Sequence, residues 1–360
     1  SPCPMKKNAI EDVWGGIIPS PLQFEYRNKM EYTFGDLVKD GPLTLGMHKK
    51  GQFMSIVTVD ECQLVSEDFN RVLKYTVDFA QEKGYSKYHK RKHTGLLRNL
   101  IIRKGFRTGE LLVNIVTSSD GTFDDEDFVK GLLDLKLDDE IVGVLHTYND
   151  SLADAVIPER YEILYGRDYY IEEILGLKFK VSAFSFFQTN VEAVERLYKE
   201  AIDLIPDLEG KDVFDLYCGA GTISQIMALK AKHVLGIEIV EEAVEAAKEN
   251  AKLNSLDNCE FIAGDCFEVL SKIKDKPEVI VVDPPRVGIK ADALEKIMSY
   301  GVENIVYISC NPKTLAPNLK GMEYYGYKVK YLKPFDNFPF TKHVEVVSLL
   351  SRTAGTTREA

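Results

Sequence analysis

Glu303-Asn304-Ile305-Val306-Tyr307-Ile308-Ser309-Cys310-Asn311-Pro312 reads as one buried strand that stops abruptly at a cysteine. Ile305 to Ile308 are β-branched or aromatic and carry no charge. Such a run suits a parallel strand covered on both faces. Pro312 has no N–H with which to extend a ladder. Cys310 is therefore expected just past the carboxyl end of a core strand, where open α/β sheets bind ligands. A strand-end cysteine is by default a small packing residue. Here the preceding strand, VIVVDPPR over 279–286, ends in the same way at Asp283. One helix, roughly 291–300, separates the two. That spacing makes a βαβ unit, whose strands lie side by side and whose ends share one crevice.

Working outward, strands alternate with helices from residue 211 onward: DVFDLY, ISQIMALKA, HVLGIEI, a helix over Glu241–Leu253, CEFIAGD, then the two strands above. This alternation predicts an α/β, Rossmann-like doubly wound sheet, mostly parallel. YKVKYLKPF and HVEVVSLL follow with only 336–342 between them. That is too short for a parallel crossover, so the last strand is expected to be antiparallel. Upstream, FSFFQTN leads into a helix over Val191–Leu204, with Asn190 as its N-cap. Residues 23–180 mix strand and helix signals in another rhythm, with a helix over Asp68–Lys83 and a hairpin turning near Gly105. The expected organisation is a loosely structured lead-in over 1–22, a mostly antiparallel α+β domain over 23–180, the doubly wound domain over 181–352, and a flexible tail over 353–360.

The 360 residues are 45% hydrophobic and 28% charged, the makeup of an ordinary soluble globular protein. No run of about 18 apolar residues occurs, so neither a transmembrane helix nor a membrane partner is expected, nor is a signal peptide. The chain opens without an initiator methionine, so further residues are expected upstream. The six cysteines, at 3, 62, 218, 259, 266 and 310, form no CxxC pair. At this size that pattern points to a reducing cytoplasm rather than a disulfide scaffold. A monomer is expected. A net charge of −11 argues against a general nucleic-acid binder. The charge is uneven, however: residues 1–108 hold 18 Lys and Arg against 12 acids, so any basic surface is N-terminal.

Asp215-Leu216-Tyr217-Cys218-Gly219-Ala220-Gly221-Thr222 joins the first strand of the doubly wound part to its helix. Gly219 and Gly221 let backbone approach a ligand there, and Glu238 ends the next strand, where an acid accepts from ribose hydroxyls. Ser224 stands where a dinucleotide fingerprint wants Gly or Ala. No Lys or Arg lies in the loop to hold a pyrophosphate. An acidic loop suits a ligand with positive charge and no phosphate, which describes S-adenosylmethionine; a nicotinamide dinucleotide is the alternative. Asp265 ends the third strand and either faces the adenine or caps a helix.

Lys87 to Arg107 is the most basic stretch, with Lys90, Arg91, Lys92, Arg98, Arg103 and Lys104 and no acid. Tyr88 and Phe106 are interleaved. It reads as a phosphate-tracking surface with aromatics for stacking, or more plainly as a solvated sheet face.

FFQTN, DLYCGAGT, the Glu238 strand end, DPPRVG, YISCNP and HVE together resemble the S-adenosylmethionine-dependent RNA uracil-C5 methyltransferases, in that family's order and over roughly residues 23–350. The type most resembled is the 23S rRNA enzyme, with the tRNA T-loop enzyme second. The resemblance implies that Gln188, Tyr217, Glu238 and Asp283 hold the cofactor, that Cys310 is the nucleophile and that Glu345 is the base. It implies a Rossmann-like methyltransferase domain behind a central RNA-contacting domain, with Lys87–Arg107 holding RNA. The chemistry is consistent. Uracil C5 is a poor nucleophile, and a thiolate adding to C6 makes C5 enolate-like. A base must then remove the C5 proton, and Glu345, starting an antiparallel last strand, is expected at the same sheet edge as Cys310.

Two departures stand out. Many relatives begin with a small β-barrel RNA-binding domain, which is not visible here. Some hold a [4Fe–4S] cluster on three clustered cysteines and a distant fourth. Cys62 resembles the fourth, but the clustered three are absent, so a cluster is expected only if upstream cysteines exist; otherwise Cys62 is a packing residue. Two other classes compete: an RNA-binding ribosome-assembly factor, which needs no Cys310, Asp283 or Glu345, and a nicotinamide oxidoreductase, which the glycine loop disfavours.

Overall fold

A computed structural model describes residues 13–353. The chain divides into two compact units. One takes Gln23–Ile174 with Phe179–Phe184; the other takes the described residues up to Leu22, Leu175–Lys178, and those from Ser185 onward.

The second unit begins with β1 (Ile18–Pro19). The first unit then holds β2 (Lys29–Asp36), β3 (Leu43–Lys49), β4 (Gln52–Thr58), α1 (Glu67–Glu82), β5 (Leu97–Gly105), β6 (Glu110–Thr117), α2 (Asp125–Leu133), β7 (Glu140–Tyr148) and β8 (Arg160–Gly166). Its seven strands run in the order β3-β4-β2-β5-β6-β7-β8. Phe69, Val72, Leu73, Val77 and Ala80 share one face of α1 and pack with Leu97, Leu100 and Ile102 of β5, the helical period meeting the sheet. Most pairings are antiparallel, but β2 and β4 pair in parallel at the single step Asp36–Ser55, and so do β6 and β7. Residues 118–139, which include α2, are long enough for that crossover. β9 (Tyr169–Ile174) and β10 (Leu177–Ser182) make a separate two-stranded sheet.

The other unit continues with α3 (Val191–Asp203), β11 (Asp212–Leu216), α4 (Thr222–Ala228), β12 (His233–Glu238), α5 (Glu241–Leu253), β13 (Cys259–Ala263), α6 (Cys266–Lys272), β14 (Val279–Val282), α7 (Ala291–Ser299), β15 (Asn304–Ser309), α8 (Pro312–Tyr324), β16 (Tyr327–Asp336) and β17 (Glu345–Arg352). Its sheet has the order β1-β16-β17-β15-β14-β11-β12-β13. Strands β11 to β15 are parallel, and β17 is antiparallel to both of its neighbours. All six residues of β15 are buried, so the uncharged run that opened the reading is a central strand. The winding reverses between β11 and β14, the switch point where such sheets bind ligands.

The lead-in is not loose over its described part. Ile18 and Pro19 pair in parallel with Phe335 and Asp336, and Trp14 bridges to Leu332. The segment is an edge strand, the one place where a sheet tolerates proline. Among the described residues, no helix is long and apolar enough to cross a membrane.

Candidate active site

Leu216 of β11 and Val282 of β14 are register partners, and Asp283 N donates to Leu216 O at 3.1 Å. The loops that follow therefore leave the sheet side by side. Tyr217, Gly219 and Gly221 all have left-handed φ, at 62°, 55° and 73°. For a bulky tyrosine that is a strained conformation of the kind found at functional turns. The two glycines are needed for different reasons. A Cβ on Gly221 would meet the Phe261 ring at 2.6 Å, whereas one on Gly219 would meet nothing within 4 Å. The space at Gly219 is thus left open by the protein.

Carboxyl groups cluster near this loop, and Glu238 accepts from the backbone N–H of Gly219. Glu238 ends β12; burial raises it, and the backbone N–H groups of Gly219, Val240 and Ile239 pull it back. Asp215 is fully buried and accepts from Ser224 Oγ, while its Oδ1 has no hydrogen-bond partner. Burial pushes Asp215 up to about 7. Asp283 stands well above the carboxylate range, through burial first and then the charges of Glu345, Asp215 and Glu238. Gln188 Nε2 donates to the buried Tyr198 hydroxyl at 3.4 Å, and burial, then Asp283, Asp215 and Glu345, raise that phenol. Asp265 caps α6, accepting from Glu268 N at 3.2 Å. A buried carboxylate oxygen without a partner, several acids and an open glycine fit a cationic, phosphate-free ligand such as S-adenosylmethionine.

The thiol lies on the neighbouring strand end. The β15–β17 register ends on the pair Ser309 and Val346, the residues next to Cys310 and Glu345, and the Glu345 charge acts on the Cys310 thiol. Two loops are tied to this pair. Asn311 Nδ2 and Thr314 Oγ1 each donate to Arg286 O at 2.9 Å, and Arg286 Nη2 lies 2.7 Å from His343 Nδ1. Burial, then Glu345 and Asp283, push the Cys310 thiol up; Arg286 pulls it down. Burial raises Glu345 to about 7 against the opposing charge of Arg286. Arg286, Tyr198 and Asp215 were not assigned roles from sequence; Arg286 alone carried a signal, as the cation closing DPPR.

The basic stretch divides in two, which corrects the reading of a continuous phosphate-tracking surface. Arg98 is buried and donates to the carbonyls of Asn149, Ser151 and Ala153 at 2.7–2.9 Å. Arg103 is 2% exposed and donates to Ser182 O and Ala183 O. Lys104 is mostly buried and pairs with Asp139 at 2.6 Å. These three hold the sheet's surroundings together and are not free to follow a backbone. Lys90, Arg91 and Lys92 remain on a surface loop. Cys62 packs against the core beneath α1. Among the described residues no group of three His, Cys, Asp or Glu could hold a metal, so they supply no site for a [4Fe–4S] cluster.

The sequence model of the tRNA (uracil-5-)-methyltransferase family matches residues 159–353. The chain is 51% identical over 333 residues to an uncharacterized RNA methyltransferase of Clostridium tetani, covering 92% of this chain and 73% of that protein. It is 50% identical over 350 residues to one of Caldanaerobacter subterraneus, covering 97% and 78%. Among solved structures, the Pyrococcus abyssi tRNA (uracil-54, C5)-methyltransferase in complex with S-adenosyl-L-homocysteine matches with a TM-score of 0.77 and 27% identity, covering 96% of this chain and 81% of that one. Fold and likeness together define an S-adenosylmethionine-dependent methyltransferase acting on RNA. More particularly, the chain belongs to the tRNA (uracil-5-)-methyltransferase family, the RNA uracil-C5 methyltransferases.

Proposed function

We propose that the protein makes 5-methyluridine in 23S rRNA through a covalent adduct on Cys310, with Glu345 as the base. The observation that carries the mechanism is that the β15–β17 register ends on Ser309 and Val346, beside Cys310 and Glu345, with the Glu345 charge acting on the Cys310 thiol. Bound S-adenosylmethionine supplies an electrophilic methyl group. Gln188, Tyr217, Gly219, Gly221, Glu238, Asp265 and Asp283 would hold it around the loop after β11. The Cys310 thiolate adds to C6 of the uracil, and the C5–C6 π electrons move to C5 and O4. C5 then bonds to the methyl carbon as the bond from that carbon to the sulfonium sulfur breaks, its electron pair staying on sulfur and leaving S-adenosylhomocysteine. The Glu345 carboxylate takes the C5 proton, the electrons return to C5–C6, and the thiolate leaves. Asp283, beside both groups, orients the reacting atoms. The Gln23–Ile174 unit is the RNA-contacting domain, with Lys90, Arg91 and Lys92 as its phosphate contacts. A target uridine within folded RNA must be extruded to reach Cys310.

The choice of 23S rRNA rests on the motif resemblance. A second reading, the tRNA T loop, is favoured by the P. abyssi enzyme, whose activity is on uracil-54 of tRNA. Tritiated-methyl transfer to total RNA from a strain lacking the gene, followed by mapping of the label, separates them. Label as 5-methyluridine in 23S rRNA supports the first reading; label in tRNA replaces it with the second.

A further inference from the structure

The first unit contains a cavity of about 630 Å³, within the range of small-ligand sites, between the end of β2, the β3–β4 hairpin and the loop 87–92. It is built from side chains of an unusual mixture. Phe53, at the start of β4, is 62% exposed. Its ring is not loose: the His48 ring lies parallel at 5.2 Å with 7° between planes, and His48 Nδ1 is 2.8 Å from Phe53 O. Lys90 places its ammonium 4.5 Å over the same ring and also pairs with Asp154 at 3.0 Å. Tyr88 also lines the cleft, held 4.1 Å from the guanidinium of Arg98, which three backbone carbonyls fix. Two acids line the cleft: Asp36 is matched by Lys87 and accepts from Asp40 N, and the exposed Asp40 side chain has Lys39 as its sequence neighbour on the same lining. Arg91 and Lys92 complete the rim.

We infer that this cleft binds a second, unpaired nucleotide of the RNA substrate, with its base stacked on Phe53 and its phosphates at Arg91 and Lys92. The inference rests on the reading of the protein as an RNA-modifying enzyme and deepens it. A pre-oriented aromatic ring ringed by cations matches a flat uncharged base joined to anionic phosphates. The Lys90 seat over Phe53 is exchangeable, because a base stacked on a ring outweighs an exposed cation–π contact. Displacement leaves Lys90 paired with Asp154, beside the rim of Arg91 and Lys92. Bases inside a duplex present no free face, so the cleft selects single-stranded or splayed nucleotides. It thereby adds a recognition point that does not depend on the uridine at Cys310.

The probe is a single-stranded RNA octamer of uridines with one central 2-aminopurine, compared with the same strand annealed to its complement. The wild-type protein quenches the 2-aminopurine of the single strand and leaves the already low emission of the duplex unchanged. Phe53→Ala weakens binding of the single strand about tenfold, the loss of one stacked base, and abolishes the quench, while Phe53→Tyr restores both. Equal quench and affinity in Phe53→Ala, or equal binding of the duplex, overturns the inference. The two readings fail separately. Quenching that depends on Phe53 without any methyl transfer by the wild type leaves the cleft and removes the activity. Methyl transfer with quenching indifferent to Phe53 does the reverse.

Discussion

Arg286 donates from Nη2 to Nδ1 of His343 at 2.7 Å. A guanidinium has no acceptor, so Nδ1 carries no proton and the imidazole is the neutral Nε2–H tautomer. The bond therefore fixes the Arg286 charge between the cysteine loop and the strand of Glu345 without adding a second cation. That charge opposes the burial that raises both Cys310 and Glu345. Arg286→Gln retains a donor and removes the charge. Alkylation of Cys310 by iodoacetamide should then titrate at higher pH than in the wild type, and methyl transfer should fall about 100-fold. An alkylation profile that overlays the wild type would remove Arg286 from thiol activation.

Cys310→Ala should abolish methyl transfer and leave S-adenosylmethionine binding intact, because the cofactor loop follows β11 and the thiol follows β15. Calorimetry with S-adenosylhomocysteine and a tritium transfer assay read the two properties separately. Loss of both would mean that Cys310 supports the cofactor pocket rather than attacks the base.

Glu345→Gln should stop the reaction after methyl transfer, leaving protein and RNA joined in a band that survives denaturing gel electrophoresis. In the wild type, the base must be ionised, and burial holds Glu345 near 7. Turnover should accordingly rise with pH through about 7. Full turnover by the glutamine variant, without an adduct, would assign proton removal to another group.

Asp215 tests the energetics of the buried acids. Its folded carboxyl is raised by burial to about 7, against about 3.9 in an unfolded chain. The protonated group's contribution to stability is fully present below about pH 4 and is lost as pH rises through 7. Asp215→Asn keeps an acceptor for Ser224 and stays neutral. Its urea midpoint should match the wild type near pH 4 and exceed it at pH 8, by up to a few kcal/mol in free energy. An equal difference at both pH values would refute this linkage.

Arg103 and Arg91 should separate structural from surface cations. Arg103→Ala strands buried carbonyls and should cost about 2–4 kcal/mol of stability. Arg91→Ala should leave the melting temperature unchanged and weaken RNA binding. If Arg103→Ala melts like the wild type, its buried hydrogen bonds do not hold the unit together.

The doubly wound core was legible because β14 and β15 are β-branched runs with no charge, and the short 336–342 connection dictated an antiparallel β17. The β15–β17 register, ending on Ser309 and Val346, was not, since register is set by pairing rather than by spacing along the chain. Arg286 escaped for a similar reason: its partner His343 is distant in sequence, and only the folded loops join them. Arg98 and Arg103 looked like surface charge because no periodic pattern reveals carbonyls arriving from residues 149–153 and 182–183. β1 was missed because two residues, one of them proline, leave no alternation to read.

The position of β17 also bears on the order of events during synthesis. It lies between β15 and β16, both of which leave the ribosome before it does. Until it inserts, each of those strands has an unpaired edge exposed to other nascent chains. The same insertion delivers Glu345, so a chain that has Cys310 but not β17 has a nucleophile without its proposed base. Under that mechanism, an unfinished molecule could capture a uridine but could not release it, and completion of the sheet would be what makes the enzyme safe for the RNA it serves.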